Sequence, residues 1–324
     1  MGNFGGSSHD DLAIGVDGER LPTKEGKSGF VGAVHVLYGS DSGLSSASSQ
    51  FLRQGVDGMR GRAEAFDSFG SSLAAGNFGR TPFDDLAIGS HEDYDEDYGD
   101  AHGNVQVVYG SKSGLLTDSG EIWHQSKPGV RGKSEPGDHF GGSLTVGDFD
   151  LDGFEDLAAG GSERTTVEGF PGPVSVGSVN ILRGSPQGLT ADGNQIWKRE
   201  AVWPDEGRGS GFGWNLTAGD IGSGPQDDLV VSEGLSRDRG LVRVACALQR
   251  RNPRARHVQQ PVLVPGFSRC SKSSRGRRQL GLDGRFASCR VLFWSSGRDF
   301  RTFGTKVRGG GRLDRKYLGA GRRS

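Results

Sequence analysis

A ten-residue segment recurs four times in register along the chain, and this recurrence restricts the possible folds more than any other feature. The four copies begin at Asn3, Asn77, Asp148 and Asp220, so successive copies are 74, 71 and 72 residues apart. A Phe-Gly pair stands eight residues before the last three copies. Self-similarity at a fixed period is the signature of a repeat architecture. We call residues 3–11, 77–85, 148–156 and 220–228 loops 1 to 4.

Each repeat contains the signals of four short strands. In the second repeat, residues 73–75 enter the loop, residues 86–88 leave it, residues 105–109 alternate as a third strand, and residues 122–125 are the candidate fourth. Glycine, at 57 of 324 residues, supplies the many tight turns that such strands need. A sheet this short cannot bury both faces alone, so it must stack on neighbouring sheets, as the blades of a propeller do.

The sequence therefore predicts an all-β fold, a partial β-propeller of about three to four four-stranded antiparallel blades. A β-helix is the structural alternative, although its usual period of roughly 20–30 residues per coil is shorter than the one observed.

Loop 3 carries the strongest chemical signal in the chain. Its acidic residues stand at alternate positions and a glycine follows for a sharp turn, as calcium loops require, since calcium takes six to eight oxygen ligands from a flexible ring. A strand signal follows the loop, where an EF-hand would have a helix. The predicted calcium ligands are Asp148, Asp150, Asp152, Asp156 and the backbone carbonyl of Phe154. The alternative is a solvated acidic turn, in which four carboxylates would repel one another.

The other three loops are weaker candidates because they offer mostly neutral oxygens, which lowers the expected affinity. A turn held by side-chain to backbone hydrogen bonds, without metal, is the alternative for each of them. The candidate ligands are Asn3, Ser7 and Asp11 in loop 1, Asn77, Thr81 and Asp85 in loop 2, and Asp220 and Asp228 in loop 4.

The pattern Phe-Gly-x-x-Leu-x-x-Gly-Asp-Phe-x-x-Asp-Gly-x-x-Asp-Leu, as in residues 140–157, resembles the FG-GAP repeat of the integrin alpha-chain head and its bacterial relatives. Tyr-Gly-Ser-x-x-Gly-Leu, at residues 38–44 and 109–115, resembles the bacterial secreted branch. The resemblance covers residues 1 to about 244. It implies a seven-bladed propeller, calcium in hairpin loops on one face, and an extracellular or cell-surface location.

The sequence departs from that family in two respects. The Gly-Ala-Pro element of the family has become Gly-Ser-His at residues 89–91 and Gly-Gly-Ser at residues 160–162. The chain also holds three full repeat periods with two partial ends, about half of a seven-bladed ring, so the resemblance predicts the blade fold and leaves closure of the ring open.

Charge divides the chain at about residue 244. Residues 245–324 contain seventeen Arg and three Lys against three Asp, which leaves 19 basic and 37 acidic residues to the first 244. We predict propeller repeats near 1–75, 76–146, 147–218 and, in part, 219–244. The basic segment 245–324 has no repeat landmarks, and we predict that it is disordered. It is interpreted either as a frameshifted sequence or as a tail for nucleic acid or another anionic surface.

The sequence predicts a binding protein and not an enzyme. Its seven His have no HExxH partner, and its Gly-Lys-Ser triplets lack the rest of a P-loop. We expect a protein or glycan partner on the propeller loops, no nucleic-acid partner and no transmembrane segment. The start of the chain does not resemble a signal peptide. The alternative is the propeller portion of a secreted hydrolase whose catalytic domain is missing from this chain.

Overall fold

The computed structural model describes residues 1–91, 94–95, 100–166, 173–199, 211–221, 225–233, 243–248 and 262–263. These residues form strands, turns and loops, and only Arg199 among them has a helical conformation. Within these ranges no helix has the length and apolar character needed to cross a bilayer. The predicted all-β fold class is therefore confirmed for the described part of the chain.

Four antiparallel sheets follow one another along the sequence, and we call them sheets 1 to 4. Sheet 1 has three strands: β1 (Leu12–Val16), β4 (Ala33–Tyr38) and β5 (Ser45–Leu52). Sheet 2 has four: β6 (Phe69–Gly76), β7 (Asp85–Ser90), β10 (Asn104–Tyr109) and β11 (Leu116–Trp123). Sheet 3 consists of β12 (Ser143–Gly147), β13 (Asp156–Thr166), β14 (Pro173–Arg183) and β15 (Thr190–Lys198). Sheet 4 consists of β16 (Leu216–Gly219), β17 (Asp228–Glu233), β18 (Arg243–Leu248) and β19 (Val262–Leu263).

Two small hairpins complete the described strands. One pairs β2 (Arg20–Pro22) with β3 (Ser28–Phe30), and the other pairs β8 (Tyr94–Asp95) with β9 (Asp100–Ala101). Each interrupts a repeat between its second and third main strands. The insertions therefore lie at the ends of the main strands and leave the pairing of those strands intact.

The internal register repeats from sheet to sheet. Loops 2, 3 and 4 connect the first and second strands of their sheets, and loop 1 leads into β1. The third and fourth strands pair with a register shift just before the last residue of the third strand, which is Tyr38, Tyr109 or Arg183 in sheets 1, 2 and 3. The same backbone position therefore carries a tyrosine twice and an arginine once.

Apolar side chains lie between consecutive sheets. One buried cluster joins sheets 1 and 2, a second joins sheets 2 and 3, and a third joins sheets 3 and 4. Each contains the phenylalanine at the second position of a loop, Phe4, Phe78 or Phe149, and all three are at most 3% exposed. Consecutive sheets therefore stack face to face, as predicted, although the described sheets do not form a closed ring.

The second strands of sheets 2 and 3, β7 and β13, come so close to the residues just before the first strand of the next sheet that only glycine fits there. A Cβ added to Gly89 would lie 2.3 Å from the carbonyl oxygen of Gly141, and one added to Gly160 would lie 2.1 Å from that of Gly213. These glycines begin the two elements that depart from Gly-Ala-Pro. The glycine of that element is kept because the stacking distance requires it.

Most of the basic segment 245–324 lies outside the described residues, so the disorder that we predict for it stays a prediction. Strand β18 continues to Leu248 and pairs with β17, and β19 pairs with β18. The described strand thus extends four residues beyond the predicted boundary at residue 244. The division into domains stays a prediction.

Candidate metal centre

Loop 3 brings three of its predicted ligands together. Asp148, Asp150 and Asp152 each offer a carboxylate oxygen, and these oxygens lie within 4.8 Å of one another. Asp148 and Asp150 are half-buried, whereas Asp152 is exposed. Three negative charges at this separation repel one another, so a cation placed among them would be attracted by all three.

Hydrogen bonds within the loop hold this shape. The two carboxylate oxygens of Asp148 accept the N–H groups of Leu151, at 2.6 Å, and Gly153, at 3.2 Å. Asp152 Oδ1 accepts the N–H of Phe154 at 2.9 Å. Leu151 and Gly153 adopt left-handed backbone conformations, with φ of 63° and 91°. The chain therefore reverses within five residues, which turns alternate side chains to the same side.

The donor set fits a hard divalent cation. Asp150 Oδ1 is buried and has no hydrogen-bond partner, which is costly for a charged oxygen unless something else satisfies it. All three donors are carboxylate oxygens, the ligand type that calcium and magnesium prefer. Phe154, the predicted carbonyl ligand, follows directly in the turn. The acidic cluster can therefore hold a metal ion.

Asp156, the remaining predicted ligand, lies outside the three-carboxylate cluster. It is fully buried at the start of β13, where Oδ1 accepts the N–H of Gly184 at 3.0 Å and Oδ2 accepts the N–H of Phe149 at 3.3 Å. Burial raises the pKa of Asp156 to about 6, and the guanidinium of Arg183 opposes that rise. Its role as a metal ligand stays a prediction.

Arg183 lies between Asp156 and the cluster. One of its terminal nitrogens, Nη1, forms an ion pair with Asp156 Oδ2 and lies 3.6 Å from Asp150 Oδ2. The side chain is largely buried. Beside it is an open cleft of about 500 Å³, whose lining includes Asp150, Asp152, Arg183, Ser185, Thr190 and Asp192.

Loops 1 and 2 are closed by hydrogen bonds and bring no cluster of carboxylates together. Asn3 Oδ1 accepts the N–H of Gly5 at 3.1 Å, and Asn77 Oδ1 accepts that of Gly79 at 2.9 Å. The remaining predicted ligands bond to backbone groups: Ser7 to Gly39, Thr81 to Gly110, Asp11 to Phe4 and Gly39, and Asp85 to Phe78 and Gly110. These are the contacts expected of the metal-free alternative, and metal binding by these residues stays a prediction.

Loop 3 differs from loops 1 and 2 in the residue at its third position. A Cβ on Gly5 would lie 1.6 Å from the carbonyl oxygen of Ser111, and one on Gly79 would lie 1.7 Å from that of Ser185. The turn of the following sheet therefore occupies the place where loop 3 carries Asp150. A carboxylate at this position requires a different contact with the next sheet.

Loop 4 is described in part, because residues 222–224 lie outside the described residues. Asp228 Oδ2 accepts the N–H of Ile221 at 3.2 Å, the same contact that the ninth residue makes in the other loops. Asp220 is exposed. Among the residues of loop 4 that the structure does describe, no group of three potential ligands converges.

Sequence reasoning missed a set of contacts between sheets that uses the eighth position of each loop. Asp84 Oδ2 accepts the N–H of Asn3 at 2.8 Å, Glu155 Oε2 that of Asn77 at 2.7 Å, and Asp227 Oδ2 that of Asp148 at 3.1 Å. Each acid therefore joins its own loop to the first residue of the preceding loop. The signal was present, because all four loops carry Asp or Glu at this position.

A second missed contact comes from the two tyrosines that end the third strands. Tyr38 Oη accepts the backbone N–H of Leu115 at 2.9 Å, and Tyr109 Oη accepts that of Leu189 at 3.1 Å. Both bonds cross from one sheet to the next. The Tyr-Gly-Ser-x-x-Gly-Leu pattern held this signal, because its tyrosine in one repeat meets its final leucine in the following repeat.

Comparison with known proteins places the chain among distant relatives of two kinds. Phosphatidylinositol-glycan-specific phospholipase D of Rattus norvegicus is 31% identical over 159 residues, which cover 46% of this chain and 17% of that protein. The Homo sapiens protein of the same name is 28% identical over 149 residues, or 43% and 16% of the two chains. Integrin alpha-8 of Gallus gallus is 25% identical over 232 residues, or 71% and 19%.

The chain therefore spans less than a fifth of the length of each of these relatives. No protein-family model matches it. The distant similarity to integrin alpha-8 supports the resemblance to integrin-type FG-GAP repeats. Assignment to the bacterial secreted branch stays a prediction.

Proposed function

We propose that the chain is a calcium-binding β-propeller module of the FG-GAP type that serves as an extracellular or cell-surface binding and adhesion scaffold and is not an enzyme. The observation that carries the proposal is the convergence of Asp148, Asp150 and Asp152 in a loop that recurs at the same place in every sheet. Stacked sheets with this loop at a fixed position are the arrangement that the integrin-type resemblance implies.

Calcium is the ion that the loop suits best. Its ligands come from a short turn, and calcium tolerates an irregular shell of six to eight oxygens. Magnesium requires a near-octahedral shell and retains its waters, so it should bind more weakly. The neighbouring open cleft leaves room for water to complete the shell. The ion would offset the repulsion among the three carboxylates and fix the turn.

Calorimetric titration of calcium into the chelator-treated full chain tests this proposal. We expect one ion per chain with Kd of about 10⁻⁴–10⁻³ M, the range of extracellular calcium modules. Asp150→Asn should abolish the saturable heat, because it removes a charged ligand. Asp118→Asn, an exposed acid in β11 far from the loop in sequence, is the control and should bind as the wild type does. Absence of saturable heat with the wild-type chain would contradict the proposal.

The partner that we propose is a protein or glycan bound through the loops that join the strands, with no role for nucleic acid. Loops on a rigid sheet scaffold are the usual carriers of binding function. An array of extracellular-matrix proteins, glycans and nucleic acids, probed with the fluorescently labelled full chain in calcium and in chelator, tests this directly. Calcium-dependent retention on one class of ligand supports the proposal, and retention only on nucleic acid contradicts it.

A second candidate function follows from the phospholipase similarity. The relatives named phosphatidylinositol-glycan-specific phospholipase D match over about half of this chain. In that case the chain is the propeller portion of a secreted hydrolase whose catalytic domain is encoded next to it. Sequencing the full transcript distinguishes the candidates: an in-frame catalytic domain favours the hydrolase, and its absence favours the scaffold.

A further inference from the structure

The last residue of the third strand differs between sheet 3 and the two sheets before it. Tyr38 pairs with Ser45, Tyr109 with Leu116 and Arg183 with Thr190, so the three residues occupy one structural position. The tyrosines extend to the next sheet and accept a backbone N–H. Arg183 instead turns over loop 3.

Arginine and the acidic cluster occur in the same sheet. Loops 1 and 2, which face tyrosines, carry Asn at the first position, Gly at the third and Ser or Thr at the fifth. Loop 3, which faces Arg183, carries Asp at all three. The guanidinium contacts Asp156 and stands 3.6 Å from Asp150 Oδ2. The positive charge is therefore placed where the loop carries its extra negative charge.

We propose that Arg183 is an internal cation that competes with the metal ion for loop 3 and thereby sets its affinity. This inference rests on the proposed calcium site. Without metal, the guanidinium neutralises part of the charge of Asp150 and Asp156. When a metal ion is bound, the Asp150 carboxylate ligates the ion, and the guanidinium moves away from Asp150 because the two cations repel each other.

The sibling sheets indicate that Asp156 does not need the arginine in order to fold. Asp11 and Asp85 occupy its position in sheets 1 and 2, are fully buried, and accept the same two backbone N–H groups. Among the described residues neither forms an ion pair with an arginine, although Arg80 of loop 2 acts on Asp85 from a greater distance. The direct ion pair with an arginine thus distinguishes loop 3 from loops 1 and 2, and replacing Arg183 leaves Asp156 with the two backbone hydrogen bonds that Asp11 and Asp85 also accept.

Calorimetric titration of three full-chain variants tests the inference. Arg183→Gln removes the charge and should tighten calcium binding by roughly tenfold or more, since a unit charge beside a divalent ion is strongly repulsive at the effective dielectric of a protein. Arg183→Tyr, the residue of the sibling sheets, should do the same. Arg183→Lys keeps the charge and should bind like the wild type.

Thermal unfolding in chelator provides a second readout that needs no metal. Arg183→Gln should melt below the wild type there, because the acidic cluster loses its internal cation, and should gain more than the wild type when calcium is added. A purely structural role for Arg183 predicts equal or weaker calcium binding by the variants. That result, with calcium binding by the wild type intact, would overturn the inference and leave the calcium site standing.

The wild-type chain offers a test that does not depend on a folded Arg183→Gln protein. The side-chain Nε–H resonance of Arg183, assigned by its loss in Arg183→Lys, should shift and exchange faster with water when calcium is added. A resonance that calcium leaves unchanged, in a chain that binds calcium by calorimetry, also overturns the inference. If the wild type binds no calcium, the proposed function fails first, and the inference fails with it.

Discussion

The hydroxyl oxygen of Tyr109 at the end of β10 accepts the backbone N–H of Leu189, which precedes β15 in the next sheet, at 3.1 Å. Tyr109 is almost fully buried, and burial raises the pKa of its hydroxyl, so the group stays protonated at any physiological pH. Because the bond joins sheet 2 to sheet 3, its contribution to stability reports how strongly adjacent repeats are coupled.

Tyr109→Phe should therefore destabilise the chain by about 1–3 kcal/mol, because it leaves the buried N–H of Leu189 without an acceptor while keeping the aromatic ring. Urea unfolding of the full chain measures this loss. Ser46→Ala, which removes an exposed hydroxyl from β5, is the control and should change stability little. A Tyr109→Phe chain as stable as the wild type would show that the bond does not couple the sheets.

The acid at the eighth loop position should stabilise each junction between sheets. Glu155 accepts the N–H of Asn77 at 2.7 Å, and burial raises the pKa of its carboxyl. We predict that Glu155→Ala costs about 1–3 kcal/mol, because the N–H loses its acceptor, and that Glu155→Gln, which keeps an acceptor oxygen, costs less. Asp10→Ala is the matched control, since Asp10 holds the same position in loop 1 and is exposed. Equal losses for Asp10→Ala and Glu155→Ala would contradict this account.

Asp85 should make stability fall as pH rises towards neutrality. Burial raises its pKa from 3.8 to about 7, against the opposing effect of the N–H groups of Gly110 and Phe78. At pH values between 3.8 and about 7, Asp85 is protonated in the folded chain and ionised in the unfolded chain. Each rise in pH therefore favours unfolding, and the free energy of unfolding falls by up to about 1.4 kcal/mol per pH unit for one proton.

The measurement is urea unfolding of the wild type and of Asp85→Asn from pH 4 to pH 7.5. The stability of the wild type relative to the variant should decline across this window. Asp118→Asn should leave the pH profile of the wild type unchanged. A constant difference between wild type and Asp85→Asn across the window would show that Asp85 titrates alike in the folded and unfolded chains.

Gly79 should tolerate no side chain. Its φ is 121°, and a Cβ would lie 1.7 Å from the carbonyl oxygen of Ser185 in the next sheet. Gly79→Ala should therefore cost more than the roughly 1–2 kcal/mol of a left-handed backbone alone. Gly137→Ala, at φ of 81° with no atom within 4 Å of the added Cβ, isolates that backbone cost. Equal losses of stability for the two variants would show that sheets 2 and 3 do not approach each other closely at Gly79.

The register of the repeat was enough to predict most of the fold. The first three strands expected of the second repeat correspond to β6, β7 and β10, because short apolar runs bounded by glycine define strands locally. The candidate fourth strand at residues 122–125 overlaps β11 (Leu116–Trp123) at only two residues, because the strand begins six residues earlier than expected. Stacking followed from the short sheets, and the three clusters between sheets confirm it. The same alignment identified Asp148, Asp150 and Asp152, which the fold brings together.

The remaining contacts could not be derived from one repeat alone. An acid at the eighth loop position and a tyrosine at the end of the third strand recur in the sequence, but recurrence does not tell whether a residue contacts its own unit or the next one. Glu155 and Tyr109 both contact the neighbouring sheet. Arg183 is oriented towards Asp156 and Asp150 of loop 3, and this contact is not visible in the sequence of its own strand.

The central claim is that a calcium ion in loop 3 stabilises the stacked sheets, and thermal unfolding of the full chain in calcium, magnesium or chelator tests it most directly. At 1 mM calcium, a site with Kd of about 10⁻⁴ M would add about 1.4 kcal/mol of stability. We expect a higher Tm in calcium than in chelator, a smaller gain in magnesium, and no calcium gain for Asp152→Ala. Equal Tm in calcium and chelator for the wild type would contradict the claim, and a gain that survives Asp152→Ala would contradict its assignment to loop 3.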